Sequence, residues 1–113
     1  MVLTRRAAGA VEILTLPPRA DASIAVQARR ELQEVLAEGR VLLAFDLSAV
    51  EFVDSSGLSV LVTAVKKARS AGGDVALVAL SDSVRSLIEL TRLQSAFSIF
   101  DDVDAAVAAL SRG

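Results

Sequence analysis

Two uninterrupted apolar runs of strand length constrain this chain most. Val75-Ala76-Leu77-Val78-Ala79-Leu80 contains no polar residue, and neither does Val41-Leu42-Leu43-Ala44-Phe45. A strand with one wet face alternates apolar and polar residues, whereas a run apolar at every position is covered on both faces. After each run the apolar residues fall at helical spacing. Leu58, Leu61, Val65 and Ala68 follow the first, and Val84, Leu87, Ile88 and Thr91 follow the second. Strands and helices alternating in this way give a mainly parallel sheet with helical cover.

The remaining segments extend the pattern. Val2-Leu3-Thr4 and Val11 to Leu16 predict two strands joined by a turn at Gly9, close enough for an antiparallel pair. Val11, Ile13 and Thr15 alternate with Glu12, Leu14 and Leu16, so the second strand is largely buried. Pro17-Pro18 ends it, because proline has no N–H for the ladder. Asp21 or Ser23 caps a helix that runs through Glu38. Its inward stripe is Ile24, Ala28, Leu32, Val35 and Leu36, with Arg29, Arg30, Glu31, Gln33 and Glu34 in water, and Gly39 stops it.

Beyond Phe45, Asp46-Leu47-Ser48-Ala49 form a turn, and Phe52 and Val53 return to the core. The next helix spans Ser56 to Ala71 and ends at Ala71-Gly72-Gly73. Ser81 or Asp82 caps a third helix, Phe97 to Phe100 form a short last strand, and Asp101 or Asp102 caps a final helix on Val103, Val107 and Leu110. The expected fold is a single α/β domain over residues 1–113, in the order β-β-α-β-α-β-α-β-α. Its sheet has about five strands, mainly parallel with the first an antiparallel edge, and carries about four helices.

Composition excludes several chemistries. The chain has 113 residues, enough for one domain. It contains neither Cys nor His, which removes disulfides, thiol nucleophiles, the usual zinc sites and Ser-His-Asp catalysis. The formal net charge is −2 with Lys and Arg scattered, so no basic face for nucleic acid is present. No Gly-rich phosphate loop appears. The expectation is a non-enzyme without cofactor or metal. Arg5-Arg6 is followed by Ala7-Ala8-Gly9 and no apolar leader core. The longest apolar run falls far short of the roughly 20 residues that span a bilayer. A cytoplasmic protein without membrane insertion is expected.

The stretch Phe52-Val53-Asp54-Ser55-Ser56-Gly57-Leu58 lies where a strand has ended and a helix begins. A helix start carries unpaired N–H groups and about half a positive charge. That makes it a seat for a hydroxyl that will carry a phosphate. Ser55 is the candidate phosphoacceptor; the competing reading is that Asp54 or Ser55 only caps the helix. Ser56 is mainly structural, and Gly57 allows close packing. A Ser-Lys nucleophile pair through Lys66 or Lys67 is discounted, since those residues lie roughly 16 Å further along the helix. Ser55, Ser59, Val62 and Lys66 project along one side, away from Leu58, Leu61 and Val65. These four are candidate partner-binding residues. Lys66, Lys67 and Arg69 also suit the helix dipole at its C-terminal end.

Leu47-Ser48-Ala49-Val50-Glu51-Phe52-Val53-Asp54-Ser55-Ser56-Gly57-Leu58 resembles the signature of STAS domains, specifically the bacterial anti-sigma factor antagonists. Ala71-Gly72-Gly73, Ser81 to Ile88 and Leu90-Thr91-Arg92-Leu93 continue the resemblance in order. It implies a partner-switching cycle. The unphosphorylated protein binds an anti-sigma factor that is also a Ser/Thr kinase, and a sigma factor is freed. The kinase uses ATP to phosphorylate the serine directly after the aspartate, here Ser55, and a phosphatase reverses this. Asp21 stands where family members have an aspartate near the phosphoacceptor, so the resemblance adds Asp21, Asp54 and Ser56 to the candidate partner-binding residues. Two positions depart from the family pattern. Pro17-Pro18-Arg19-Ala20 replaces a glycine-ended strand, and Ser59 stands where glycine is frequent. The alternative role implied is a constitutive STAS subunit of a stress-signalling scaffold or of a lipid transporter. A monomer or weak dimer is expected.

Overall fold

Order along the chain and order across the main sheet coincide. The computed structural model describes residues 1–112. Its elements are β1 (Thr4–Ala8), β2 (Val11–Thr15), β3 (Arg19–Ala20), α1 (Ala22–Ala37), β4 (Leu42–Asp46), β5 (Phe52–Val53), α2 (Ser55–Ser70), β6 (Asp74–Val78), α3 (Asp82–Leu90), β7 (Ser98–Phe100) and α4 (Val103–Arg112). The five-stranded sheet runs β1-β2-β4-β6-β7. β1 pairs antiparallel with β2, and every later pair is parallel. Ile13, Ala44 and Ala76 lie opposite one another across its centre.

The period of two along each strand divides the core in two. Leu14, Leu43, Phe45, Val75 and Leu77 face α1, α2 and α3. Val11, Ile13, Ala44, Ala76 and Val78 face α4, which meets them with Ala106 and Leu110. This is the two-sided burial that the apolar runs require. The parallel strands also end on one side of the sheet, the side where α/β folds build their sites.

The structure corrects several sequence expectations. β1 begins at Thr4 rather than Val2. The N–H groups of Val2 and Leu3 donate instead to the Glu31 carboxylate, each at 2.8 Å. Gln27 adds a third bond at 2.8 Å. Glu31 therefore does not face water: it is 3% exposed. A carboxylate with three donors can be buried where an unpaired one could not. Of the expected α1 stripe, Ala28, Leu32 and Val35 are buried, while Ile24 and Leu36 are half-buried and Ala25 joins the core.

Asp46 belongs to β4, and Leu47 is fully buried, its N–H bonded to the Val78 carbonyl at 2.9 Å, so the turn is confined to Ser48-Ala49. Phe52 does not enter the core. It is 43% exposed, and the Arg19 guanidinium stacks 4.7 Å from its ring centroid. A second, two-stranded sheet pairs β3 with β5. It was not anticipated, because a two-residue strand has no period to detect. β6 stops at Val78, and Ala79 turns the chain at φ +58°.

Candidate functional site

The site is built where β5 meets α2. Asp54 keeps an extended backbone, and its Oδ1 accepts from Ser56 N–H at 2.9 Å and Gly57 N–H at 3.0 Å. It is the N-cap of α2. The Asp54 N–H donates in turn to the Ala20 carbonyl at 3.3 Å. Gly57 lets the first turn of α2 lie directly on β3, since a Cβ there would sit 2.0 Å from the Ala20 carbonyl oxygen. Two small elements and one glycine thus fix where the helix starts.

Ser55 is consequently the first helical residue, one position earlier than expected, and it is exposed. Because Asp54 does the capping, no hydrogen bond occupies the Ser55 hydroxyl among the described residues. Ser55, Ser59, Val62 and Lys66 line one open groove of about 380 Å³, so the face expected from helical spacing is continuous. Leu58, Thr63 and Leu93 complete it, so Leu58, expected to face away from this side, reaches the groove as well. Leu93 was not among the expected site residues; it comes from the turn after α3 and has no periodic relation to α2. Ser59 Oγ donates to the Ser56 carbonyl at 2.8 Å and accepts from Arg29 Nη2 on α1. Thr63 Oγ1 donates to the Ser59 carbonyl at 2.9 Å.

The other candidates separate by position. Ser56 is half-buried, with its N–H on Asp54 and its carbonyl on Ser59, which is a structural arrangement. Asp21 lies outside the groove lining and is the N-cap of α1, accepting from Ser23 N–H at 3.0 Å. The Ser23 hydroxyl and N–H, with Arg19 behind them, hold the Asp21 carboxyl below its ordinary value. Lys67 and Arg69 are engaged elsewhere: Lys67 donates to Gln33 at 2.8 Å and Arg69 to Asp74 at 3.0 Å. Lys66 is exposed on the groove.

Chemically, the groove offers an exposed alcohol on a helix N-terminus, an apolar floor and a cation at its far end. Among the described residues no cluster of acidic side chains could hold a metal ion. Among the described residues no helix is long and apolar enough to cross a membrane.

The STAS domain family profile matches residues 4–106. An anti-sigma-B factor antagonist of Listeria monocytogenes is 33% identical over 79 residues, which is 70% of this chain and 69% of that protein. The crystal structure of an anti-sigma factor antagonist from Mycobacterium paratuberculosis superposes with a TM-score of 0.87 at 27% identity, covering 96% of this chain and 92% of that one. The Bacillus anti-sigma factor antagonist SpoIIAA, solved phosphorylated and unphosphorylated, shares the fold with a TM-score of 0.77 in either form at 15% identity, covering 95% and 98% of this chain and 97% and 98% of its own. The sheet order, the Asp-capped helix start and these relatives agree: the chain belongs to the STAS domain family, with the anti-sigma factor antagonists.

Proposed function

We propose that this protein is a phosphorylation-switched antagonist. With Ser55 unmodified, the α2 groove docks an anti-sigma factor that has Ser/Thr kinase activity, and a sigma factor is released. The observation that carries the reading is the division of labour at the helix start. Asp54 satisfies the N–H groups of Ser56 and Gly57, and the neighbouring Ser55 hydroxyl is left exposed and uncommitted. A pure cap would be occupied.

In the modification, the Ser55 oxygen attacks the γ-phosphorus of ATP. An O–P bond forms, the β,γ-bridging P–O bond breaks, ADP leaves, and the hydroxyl proton passes to a base of the kinase. Asp54 serves as the cap of α2 through Oδ1 and positions the kinase's contacts. Phosphoserine brings about −1.5 to −2 charges and three acceptor oxygens. The positive end of α2 tolerates that charge, so the fold survives. A closed interface does not, because it would have to desolvate a dianion. SpoIIAA has this fold in both its phosphorylated and its unphosphorylated form.

Incubation with the kinase-type anti-sigma factor and Mg-ATP is expected to add the mass of one phosphate. Ser55→Ala abolishes the addition and Ser56→Ala preserves it. A phosphate retained by Ser55→Ala overturns the assignment. Ser55→Asp is expected to weaken partner binding about tenfold or more while leaving the thermal midpoint nearly unchanged.

A further inference from the structure

A cation from a second helix already reaches the first turn of α2. Arg29 lies on the exposed side of α1, and its Nη2 donates to Ser59 Oγ. Ser59 is one turn past Ser55 on the same face, which places their Cβ atoms about 6 Å apart. Ser59 spends its own proton on the Ser56 carbonyl. Arg29 therefore meets only the lone pairs of a neutral hydroxyl, a modest partner for a five-donor guanidinium. Arg5, Arg19, Arg40 and Arg69 each pair with a carboxylate, and among the described residues Arg29 does not.

We infer that Arg29 is the internal receptor for the phosphate of phosphoserine 55, so that α1 takes part in the switch as well as α2. The inference rests on Ser55 being the phosphoacceptor. Phosphorylation puts strong acceptor oxygens one turn above the hydroxyl that Arg29 now holds. The guanidinium exchanges that hydroxyl for a bidentate, charge-assisted contact, roughly twice as strong per bond as a neutral one. The surrounding charges leave this role to Arg29. Asp54 repels the phosphate and is committed to its cap. Asp21, the N-cap of α1, repels it too. Arg19 on β3 is held by Asp21 and stacked on Phe52. Lys66 is about three turns further along α2, roughly 16 Å away. Arg92 precedes Leu93 on the turn beside the groove and is the remaining competitor. The clamp changes the docking face twice: it gains a dianion, and Arg29 leaves the Ser59 hydroxyl.

The test uses the full chain with phosphoserine installed at position 55 during translation, which needs no kinase. Phosphorus NMR follows the second ionisation of the phosphate, which lies near pH 6 in an unperturbed phosphoserine. The midpoint is expected to fall below that value. Arg29→Ala is expected to raise it by about half a unit or more, and Arg29→Lys to recover part of the shift. Lys66→Ala and Arg92→Gly leave it in place. The helix N-terminus acts in every variant, so the difference reports Arg29 alone. The thermal midpoint of unphosphorylated Arg29→Ala, expected unchanged for a surface residue, checks its fold. An unmoved titration in Arg29→Ala overturns the clamp, as does an equal shift in Arg92→Gly. Either result leaves kinase-dependent phosphorylation of Ser55 standing. Failure of that phosphorylation leaves the titration readable.

Discussion

At Asp54 and Gly57 two side chains of opposite character hold one helix start. Asp54 supplies the acceptor that the helix lacks, and Gly57 supplies no side chain where the Ala20 carbonyl needs the room. Loss of such a cap costs about 0.5–2 kcal/mol. Asp54→Ala is expected to fall in that range by urea unfolding, and Asp54→Asn to be much milder. Gly57→Ala must push β3 away or unwind the first turn, and overpacking of this kind costs about 1–3 kcal/mol. Both act on the first turn of α2, where Asp54 Oδ1 accepts the Gly57 N–H, so the double variant is expected to lose less than the sum of the single losses. The Asp-Ser-Ser-Gly junction was legible from the sequence, because strand, cap and helix follow one another within a few residues. Which of Asp54 and Ser55 caps was not, because both residue types accept N–H groups. Arg29 faces water as helical spacing expects, but its bond to Ser59 was not legible, because Ser59 belongs to another helix.

At the scale of elements, α1, α2 and α3 end in the same way. In each, the residue after the cap adopts a left-handed φ, and the next N–H bonds back to the last turn: Arg40 to Val35 at 3.3 Å, Gly73 to Ala68 at 2.8 Å and Leu93 to Ile88 at 3.0 Å. Gly39 and Gly72 occupy the left-handed position in the first two, so those ends were visible in the sequence. Arg92 occupies it in the third, at φ +59°, where no glycine marks the stop. A side chain in that region costs about 1–2 kcal/mol, and glycine returns about 0.4–1 kcal/mol of that through the unfolded chain. Arg92→Gly is therefore expected to stabilise by about 0.5 kcal/mol, raising the thermal midpoint by roughly 2 °C. The β3–β5 pair and the burial of Glu31 were not legible. Each depends on a partner far along the chain: Pro18 accepts from Glu51 N–H at 2.8 Å, and Glu31 accepts from Val2 and Leu3.

For the whole molecule, the pH dependence of stability is set by carboxylates, since no histidine titrates near neutrality. Burial alone would push Glu31 up, but the N–H groups of Leu3 and Val2 together with Gln27 outweigh it and hold the carboxyl below its ordinary value. Arg5 does the same for Glu38. Groups lowered on folding contribute fully above the usual carboxylate range and lose that contribution as pH falls through their folded values. The urea midpoint is accordingly expected to be flat from about pH 5.5 upward and to drop below about pH 4. Glu31→Gln lowers the plateau and flattens the acid drop; an unchanged acid profile in that variant would show that another group governs it. The alternating fold was legible because two-sided strands leave few alternatives.

One consequence follows from α4 being, among the described residues, the lone cover of the reverse side of the sheet. Clipping the backbone at Asp101-Asp102 would strip that lid and bare Val11, Ile13, Ala44, Ala76 and Val78 as a single greasy plane, wide enough to glue copies together. A trimmed chain should scatter light and clump while the α2 groove, on the opposite side, keeps its lining.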